Sequence, residues 1–360
     1  MLKAYKYRLY PTREQKAKLS ETLWLCSILY NSCLAERRDC WELGGHSITK
    51  YDQINRLPEL KSMDERFLHV HSQVLQDVVK RLDKTFDAFF RRVKAGEKPG
   101  YPRFKPARRY DSFTFPQAPS GCQLQGRKLV LSKIGSVKIK LHRKVPGKIK
   151  TVTIMRQADG WYACFSCEVE AVVLPASDKA VGVDLGLESF AVTSDGEFFP
   201  AAKHLRKGER NLKRLQRQVS RRVKGSNRRK KAIRQLAKAH LHVANQRKNT
   251  AHKVARSLVN CYGLIAAEDL QVTNMLRNHH LAKSISDAGW NLFINILTSK
   301  AAEAGREVIK VDPRYTSQAC SGCGAIVPKP LSQRWHSCPC GCELHRDVNA
   351  AINILRKAIA

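Results

Sequence analysis

The stretch KAVGVDLGLESFAVTSDGEFFP occupies residues 179–200. Its apolar run, Val181 to Val183, predicts a buried strand that stops at Asp184. SFAVT and EFF then predict a hairpin turning over Asp195-Gly196. Gly186 leaves room beside that strand for another backbone or a phosphate to approach closely. The pattern marks the opening of a new unit, and the elements downstream of it decide which one. After the hairpin come two long basic helices, then the strand CYGLIAAEDL (261–270). The segment SISDAGWNLFINILTSKAAEAG predicts one helix capped by Ser284 or Ser286, REVIKV (306–311) a strand, and the chain closes on a helix.

Three acids fall at the ends of these elements: Asp184 in VGVDLG, Glu268 in LIAAEDL and Asp347 in HRDVNAA. Singly, an acid at a strand end is most often a turn former or a helix cap. Together they suit phosphodiester hydrolysis, which uses two divalent cations about 3.5–4 Å apart. Such hard ions take oxygen ligands, so the carboxylates must converge. Positions about eighty residues apart converge only if a sheet gathers their elements. A buried strand, a second strand and a C-terminal helix, each bearing one acid, is the arrangement of an RNase H-like fold.

Upstream of residue 179 the period changes twice. Tyr5, Tyr7 and Leu9 alternate as in a strand, and Thr12 with Gln15 forms a capping-box signature for a following helix. Helical pattern then dominates to about residue 94. Its clearest stripe is Leu75, Val78, Val79, Leu82, Phe86, Phe89, Phe90 and Val93. Between 110 and 170 the period is two, in SFTF, KLVL, SVKIKL, TVTIM and WYACFSCEVE, with a hairpin turn at Asp159-Gly160. These short strands predict a small β-barrel completed by the N-terminal strand. Cys164 and Cys167 lie three apart on one strand and so face opposite ways, which argues against a metal pair there.

The chain has 360 residues, enough for two to four compact units. It carries 65 Lys+Arg against 31 Asp+Glu, a formal charge of +34. A polyanion is the natural partner of such a surface, because each neutralised phosphate releases counterions. The densest run lies between residues 206 and 249. There Leu212, Leu215 and Val219, then a turn at Gly225-Ser226-Asn227, then Ile233, Leu236 and Val243 predict a helical hairpin with cations on every face but a thin seam. MLKAYKYRLY contains no apolar signal core, and no apolar run approaches the ~18 residues of a membrane span. A soluble, cytoplasmic protein without membrane contact is expected.

Five of the twelve cysteines crowd between residues 320 and 342. In a basic intracellular chain such a cluster reads as zinc rather than as a disulfide framework. CSGCG (320–324) is a zinc half-site, and Cys338 stands where a second half-site should begin. A closed site of this kind is structural: it contributes folding energy to a segment too small for its own core.

The motifs VGVDLGLESFAVTSDGE, IAAEDLQVTNM, HLAKSISDAGWNLF, KVDPRYTSQACSGCG and RDVNAAINIL occur in the order seen in the TnpB (OrfB) proteins of insertion sequences, relatives of type V CRISPR effectors, and the chain resembles that family. YKYRLYPTREQ and KPGYPRFK extend the resemblance to nearly the whole length. It implies an RNA-guided, Mg²⁺-dependent DNA endonuclease of a prokaryotic transposable element, nucleoid-associated. Its partners would be a guide RNA from the transposon end and target double-stranded DNA. Asp184, Glu268 and Asp347 become a RuvC-type acidic triad holding Mg²⁺. The implied fold is α+β and multidomain. A wedge-like β-barrel covers 1–15 and 108–175, a helical recognition lobe 16–107, a RuvC-like RNase H domain 176–315 and 344–360, and a zinc ribbon 316–343. The family register selects Cys320, Cys323, Cys338 and Cys340 as Zn²⁺ ligands. Family members usually place two residues between the later pair, whereas only Pro339 separates Cys338 from Cys340, so Cys342 and His336 remain alternatives for one ligand. The competing functions are RNA-guided DNA binding without cleavage, and strand transfer by a transposase.

Overall fold

Tyr5, Tyr7 and Leu9 all turn inward along β1 (Leu2–Tyr10), the middle strand of a seven-stranded sheet. The computed structural model describes residues 1–330 and 332–360, in two units, Met1–Glu170 and Ala171–Ala360. In the first unit β1 is flanked by β2 (Ser112–Phe115), β3 (Cys122–Gln125), β4 (Lys128–Leu131), β5 (Gly135–Lys140), β6 (Lys148–Gln157) and β7 (Gly160–Glu168). The order is β2-β6-β7-β1-β5-β4-β3, antiparallel throughout. Among the described residues no ladder joins the outer strands β2 and β3. β3, with the sequence CQLQ, is not among the strands expected from sequence; its alternation is carried by only two apolar residues, Cys122 and Leu124, which pack on the core. Cys167 is buried and Cys164 is not, as alternation along β7 requires.

The helices of this unit are α1 (Arg13–Gly44), α2 (Lys50–Asn55), α3 (Leu57–Met63) and α4 (Ser72–Lys94). Thr12 and Gln15 form the expected capping box at the start of α1. Leu75, Val78, Val79 and Leu82 of α4 join the sheet residues in one core. The stripe outruns that core: Phe90 and Val93 are exposed, and Phe89 and Phe90 pack on Phe86 and Tyr101 instead.

The second unit is built on β8 (Ala180–Asp184), β9 (Ser189–Thr193), β10 (Phe198–Pro200), β11 (Leu264–Glu268) and β12 (Glu307–Val311), in the order β10-β9-β8-β11-β12. β8, β11 and β12 run parallel; β9 is antiparallel to β8, and β10 is antiparallel to β9. Parallel neighbours need long crossovers. These are supplied by α5 (His204–Ser220) and α6 (Asn227–Cys261), then by α7 (Val272–Met275), α8 (Ala282–Ala288) and α9 (Trp290–Ala304). Val181, Val183, Ile265 and Ala267 face α6 and α9 in one core layer. The opposite layer, with Ala266 and Val311, packs on Ile354 of the last helix, α10 (Arg346–Ile359). A short hairpin, β13 (Trp335–Ser337) with β14 (Glu343–His345), leads directly into α10.

Two expectations for this unit change. The segment 284–305 is not one helix: Gly289 adopts a left-handed conformation (φ 68°), ends α8 and starts α9, so neither Ser284 nor Ser286 caps it. In the α5–α6 hairpin the seam is Leu212, Leu215, Val219, Ala232 and Val243; Ile233 faces solvent. Among the described residues no helix is long and apolar enough to cross a membrane.

Candidate active site and metal centre

The register of the second sheet brings the first two acids together. Ala267 pairs with Val183, so the next residues, Glu268 and Asp184, end adjacent parallel strands at the same level. Alternation then decides where they point. Val183 and Ala267 face α6 and α9, so Asp184 and Glu268 face the α10 side.

The helix α10 reaches that side because β8 carries no side chain where the two meet. A Cβ on Gly182 would lie 1.9 Å from the Ala351 carbonyl oxygen and 2.8 Å from the Leu355 nitrogen. Ala350 and Ala351, both buried, keep the helix face equally thin. Asp347, one turn before Ala351, is thereby carried to the end of β8. Gly186, by contrast, accommodates the backbone of its own hairpin: a Cβ there would meet the Ser189 carbonyl oxygen at 2.8 Å.

The electrostatics identify Asp184 as the shared member. Its carboxyl is pushed well above the usual carboxylate range, first by burial, then by Glu268 and by Asp347; Arg346 and a backbone bond oppose this. Burial also raises Glu268, against the Thr316 hydroxyl, which donates to its Oε1 at 2.6 Å, and the charge of Lys357. The Asp347 carboxylate lies 3.9 Å from an Arg334 nitrogen whose partner nitrogen bonds Glu188 at 2.6 Å. Among the described residues neither Asp184 nor Glu268 has an ion-pair partner within 4.0 Å, in a chain with 34 surplus cations. A buried acid, Glu268, and a half-buried one, Asp184, both without an ion-pair partner among the described residues, fit a site built for external cations.

The three carboxylates do not close around a single point. The described groups of three or more ligands whose atoms all lie within 4.8 Å consist of cysteine and histidine. Asp184 feels both other acids, and such a set of oxygen donors could hold divalent cations.

The cysteine centre is closed. Cys320, Cys323, Cys338 and Cys340 bring their sulfurs within 4.8 Å of one another. The Cys320–Cys340 and Cys323–Cys338 separations are both 3.6 Å. A tetrahedral Zn²⁺ with Zn–S bonds of about 2.3 Å requires sulfur separations of about 3.8 Å, so the donor set fits that ion. The Gly322 N–H donates to the Cys320 sulfur at 3.3 Å. Cys342 and buried His336 form with Cys320 a second group of three members only, short of the four ligands a closed zinc site uses.

One helix joins both centres. The apolar face of α10 packs on the sheet, while its polar face holds the cysteine segment. Asn349 accepts from the Ser321 N–H at 2.8 Å and donates to the Ala319 carbonyl at 2.7 Å. Asn353 donates to the Thr316 and Ala319 carbonyls, Arg346 to the Pro330 carbonyl and Arg356 to the Ser321 carbonyl. Sequence reading missed Gly182, Thr316, Arg334, Asn349 and Asn353. Only the asparagines carried a signal: two amides four residues apart on a helix whose other face is Ala and Ile.

Three family models match this chain. One described as "Probable transposase" (OrfB_IS605) covers residues 164–279, and one described as "Cas12f1-like, TNB domain" covers 290–354. A third, described as "Helix-turn-helix domain", covers 1–46, where the fold is a strand followed by one unbroken helix. A Streptomyces pristinaespiralis protein named "Putative RNA-guided DNA endonuclease" is 35% identical over 99% of this chain and 90% of its own length. An Escherichia coli K12 protein named "Putative RNA-guided DNA endonuclease InsQ" is 32% identical over 98% and 92%. The solved structure titled "Structure of the mini-RNA-guided endonuclease CRISPR-Cas_phi3" aligns with a TM-score of 0.54 at 9% identity, over 100% of this chain and 92% of that one, a likeness of fold alone. The order of motifs, the gathered acids and the full-length relatives agree, and the chain belongs to the TnpB (OrfB) family.

Proposed function

We propose that this protein is an RNA-guided DNA endonuclease of a transposable element. In this reading a RuvC-like RNase H domain (176–315 and 344–360) cuts, and a zinc ribbon (316–343) braces it. A wedge-like barrel (1–15 and 108–175) and a helical recognition lobe (16–107) complete the chain. The observation that carries the reading is the convergence of acids from β8, β11 and α10 about Asp184, of which Asp184 and Glu268 have no ion-pair partner among the described residues. The 65 cationic side chains suit a long folded RNA and a DNA target. A guide from the transposon end would choose the sequence by base pairing, while the protein holds the duplex by its backbone and reads a short flanking motif.

Each residue has a defined task. Asp184, Glu268 and Asp347 would together hold the Mg²⁺ ions. When bound, such ions activate water and stabilise the leaving oxygen. Thr316 fixes the rotamer of Glu268, and Arg334 restrains Asp347. Cys320, Cys323, Cys338 and Cys340 would hold a structural Zn²⁺, and the amides of Asn349 and Asn353 transmit that rigidity to the helix bearing Asp347.

The test is to express the protein with the DNA flanking its own locus, sequence the co-purifying RNA, and challenge the complex with plasmids carrying the matching target and randomised flanks. Cleavage that needs the RNA, Mg²⁺ and a fixed flanking motif is expected. Asp184→Ala and Glu268→Ala should bind target and not cut it. Cutting without RNA, or joining of DNA ends without RNA, would overturn the reading.

A further inference from the structure

A cavity of about 270 Å³ opens beside Glu268, between the ends of β8 and β11 and the first turns of α9. Its apolar walls are Leu185, Leu270 and Ile294. Part of its polar lining is uncommitted. Asn291 and Asn295 stand one helical turn apart on the same face of α9, both exposed, and neither amide bonds another described residue. Trp290 is 3% exposed, and its indole N–H is buried without an acceptor. Lys310 lines the mouth with its ammonium 3.8 Å from the Asp269 carboxylate, a loose and solvent-open pair.

We infer that this cavity holds one unstacked nucleotide of the DNA strand being cut, next to the scissile phosphate; the inference rests on the nuclease reading above. The volume is just under the roughly 300 Å³ at which small-molecule sites begin, and so suits a single base. Asparagine amides offer a donor and an acceptor together, the combination that pairs with a base edge. The indole N–H lacks the acceptor that a base carbonyl or ring nitrogen supplies. Lys310 exchanges its loose carboxylate contact for a phosphate oxygen, which fixes position rather than sequence. Asn291, Asn295 and Lys310 are therefore positioning residues: they set where the phosphate lies relative to Glu268 and do no chemistry.

The experiment is an abasic scan across the cut site, using the guide-RNA complex of the wild type and of Asn291→Ala/Asn295→Ala. Both substitutions are on an exposed helix face, where alanine favours the helix. Single-turnover cleavage and target affinity are measured for each substrate. The variant should bind the intact target with wild-type affinity and cut it about tenfold slower. Removing one particular base should slow the wild type about tenfold and leave the variant unchanged, the signature of a coupled pair. A variant that cuts at the wild-type rate, or penalties that add at every position, would overturn the inference. A second arm needs no cleavage: in the Asp184→Ala complex, 2-aminopurine at that one position should change emission, and the change should vanish when Asn291 and Asn295 are also replaced. Identical emission in both complexes would likewise overturn it. A wild-type complex that binds and never cuts, yet shows that change, would remove the nuclease reading and keep the pocket.

Discussion

Replacing Gly182 by alanine adds a single methyl group where α10 approaches β8 backbone to backbone. That Cβ would sit 1.9 Å from the Ala351 carbonyl oxygen, with the Leu355 nitrogen at 2.8 Å. Both obstacles are main-chain atoms, so no side chain can swing away. Real Cβ contacts are essentially never closer than 3.0 Å, so the helix must retreat by about an ångström. Overpacking of this kind costs roughly 1–3 kcal/mol. At about 2–4 °C per kcal/mol for a unit of this size, the melting temperature should fall by roughly 2–12 °C. Activity should suffer more, because Asp347 rides one turn away on the same helix and a 1 Å misplacement can cost about 10²-fold. The assay is thermal unfolding of the Gly182→Ala protein with single-turnover cleavage by its guide-RNA complex below the transition. Wild-type melting and wild-type cleavage would refute the claim that the bare backbone of β8 positions Asp347.

Other consequences are equally specific. Asp184 titrates above its unfolded value, so the folded chain holds extra protons there and stability declines as pH rises from the ordinary carboxylate range through the raised one. Asp184→Asn should therefore melt higher than wild type at pH 7–8 in chelator and lose the Mg²⁺-induced stabilisation; a lower melting point in chelator would contradict the repulsion argument. Cys340→Ser should abolish zinc retention while Cys342→Ser keeps one zinc per chain, as read by metal analysis, and the reverse pattern would move the fourth ligand to Cys342. Arg222, Arg228 and Lys231 line one notch at the tip of the α5–α6 hairpin. Replacing all three by glutamine should lower the slope of log affinity against log salt by roughly 2–3, at about 0.7–0.9 per phosphate contact. An unchanged slope would leave that hairpin off the nucleic acid.

Local rules made much of this legible. Alternation in β1 and the Thr12–Gln15 box were readable because their causes lie within a few residues. The placement of the three acids was readable because Asp184 and Glu268 close patterned strands and Asp347 opens a patterned helix. What failed depended on partners distant in sequence. The stripe of α4 runs past its core because nothing in the helix records where the sheet stops. Gly289 breaks a helix that propensity alone continues, since one glycine in a helical pattern is normally tolerated. Gly182 looked like part of a buried strand, and only the helix 170 residues later explains why it has no side chain. Thr316 and Arg334 lie in irregular segments whose roles are set by the carboxylates they meet.

The most direct test of the proposed two-ion site is anomalous diffraction from crystals of the guide- and target-bound complex soaked in Mn²⁺. Two peaks about 3.5–4 Å apart, with Asp184 touching both, Glu268 one and Asp347 the other, are predicted. A Mn²⁺ position that excludes any of these three side chains would contradict it.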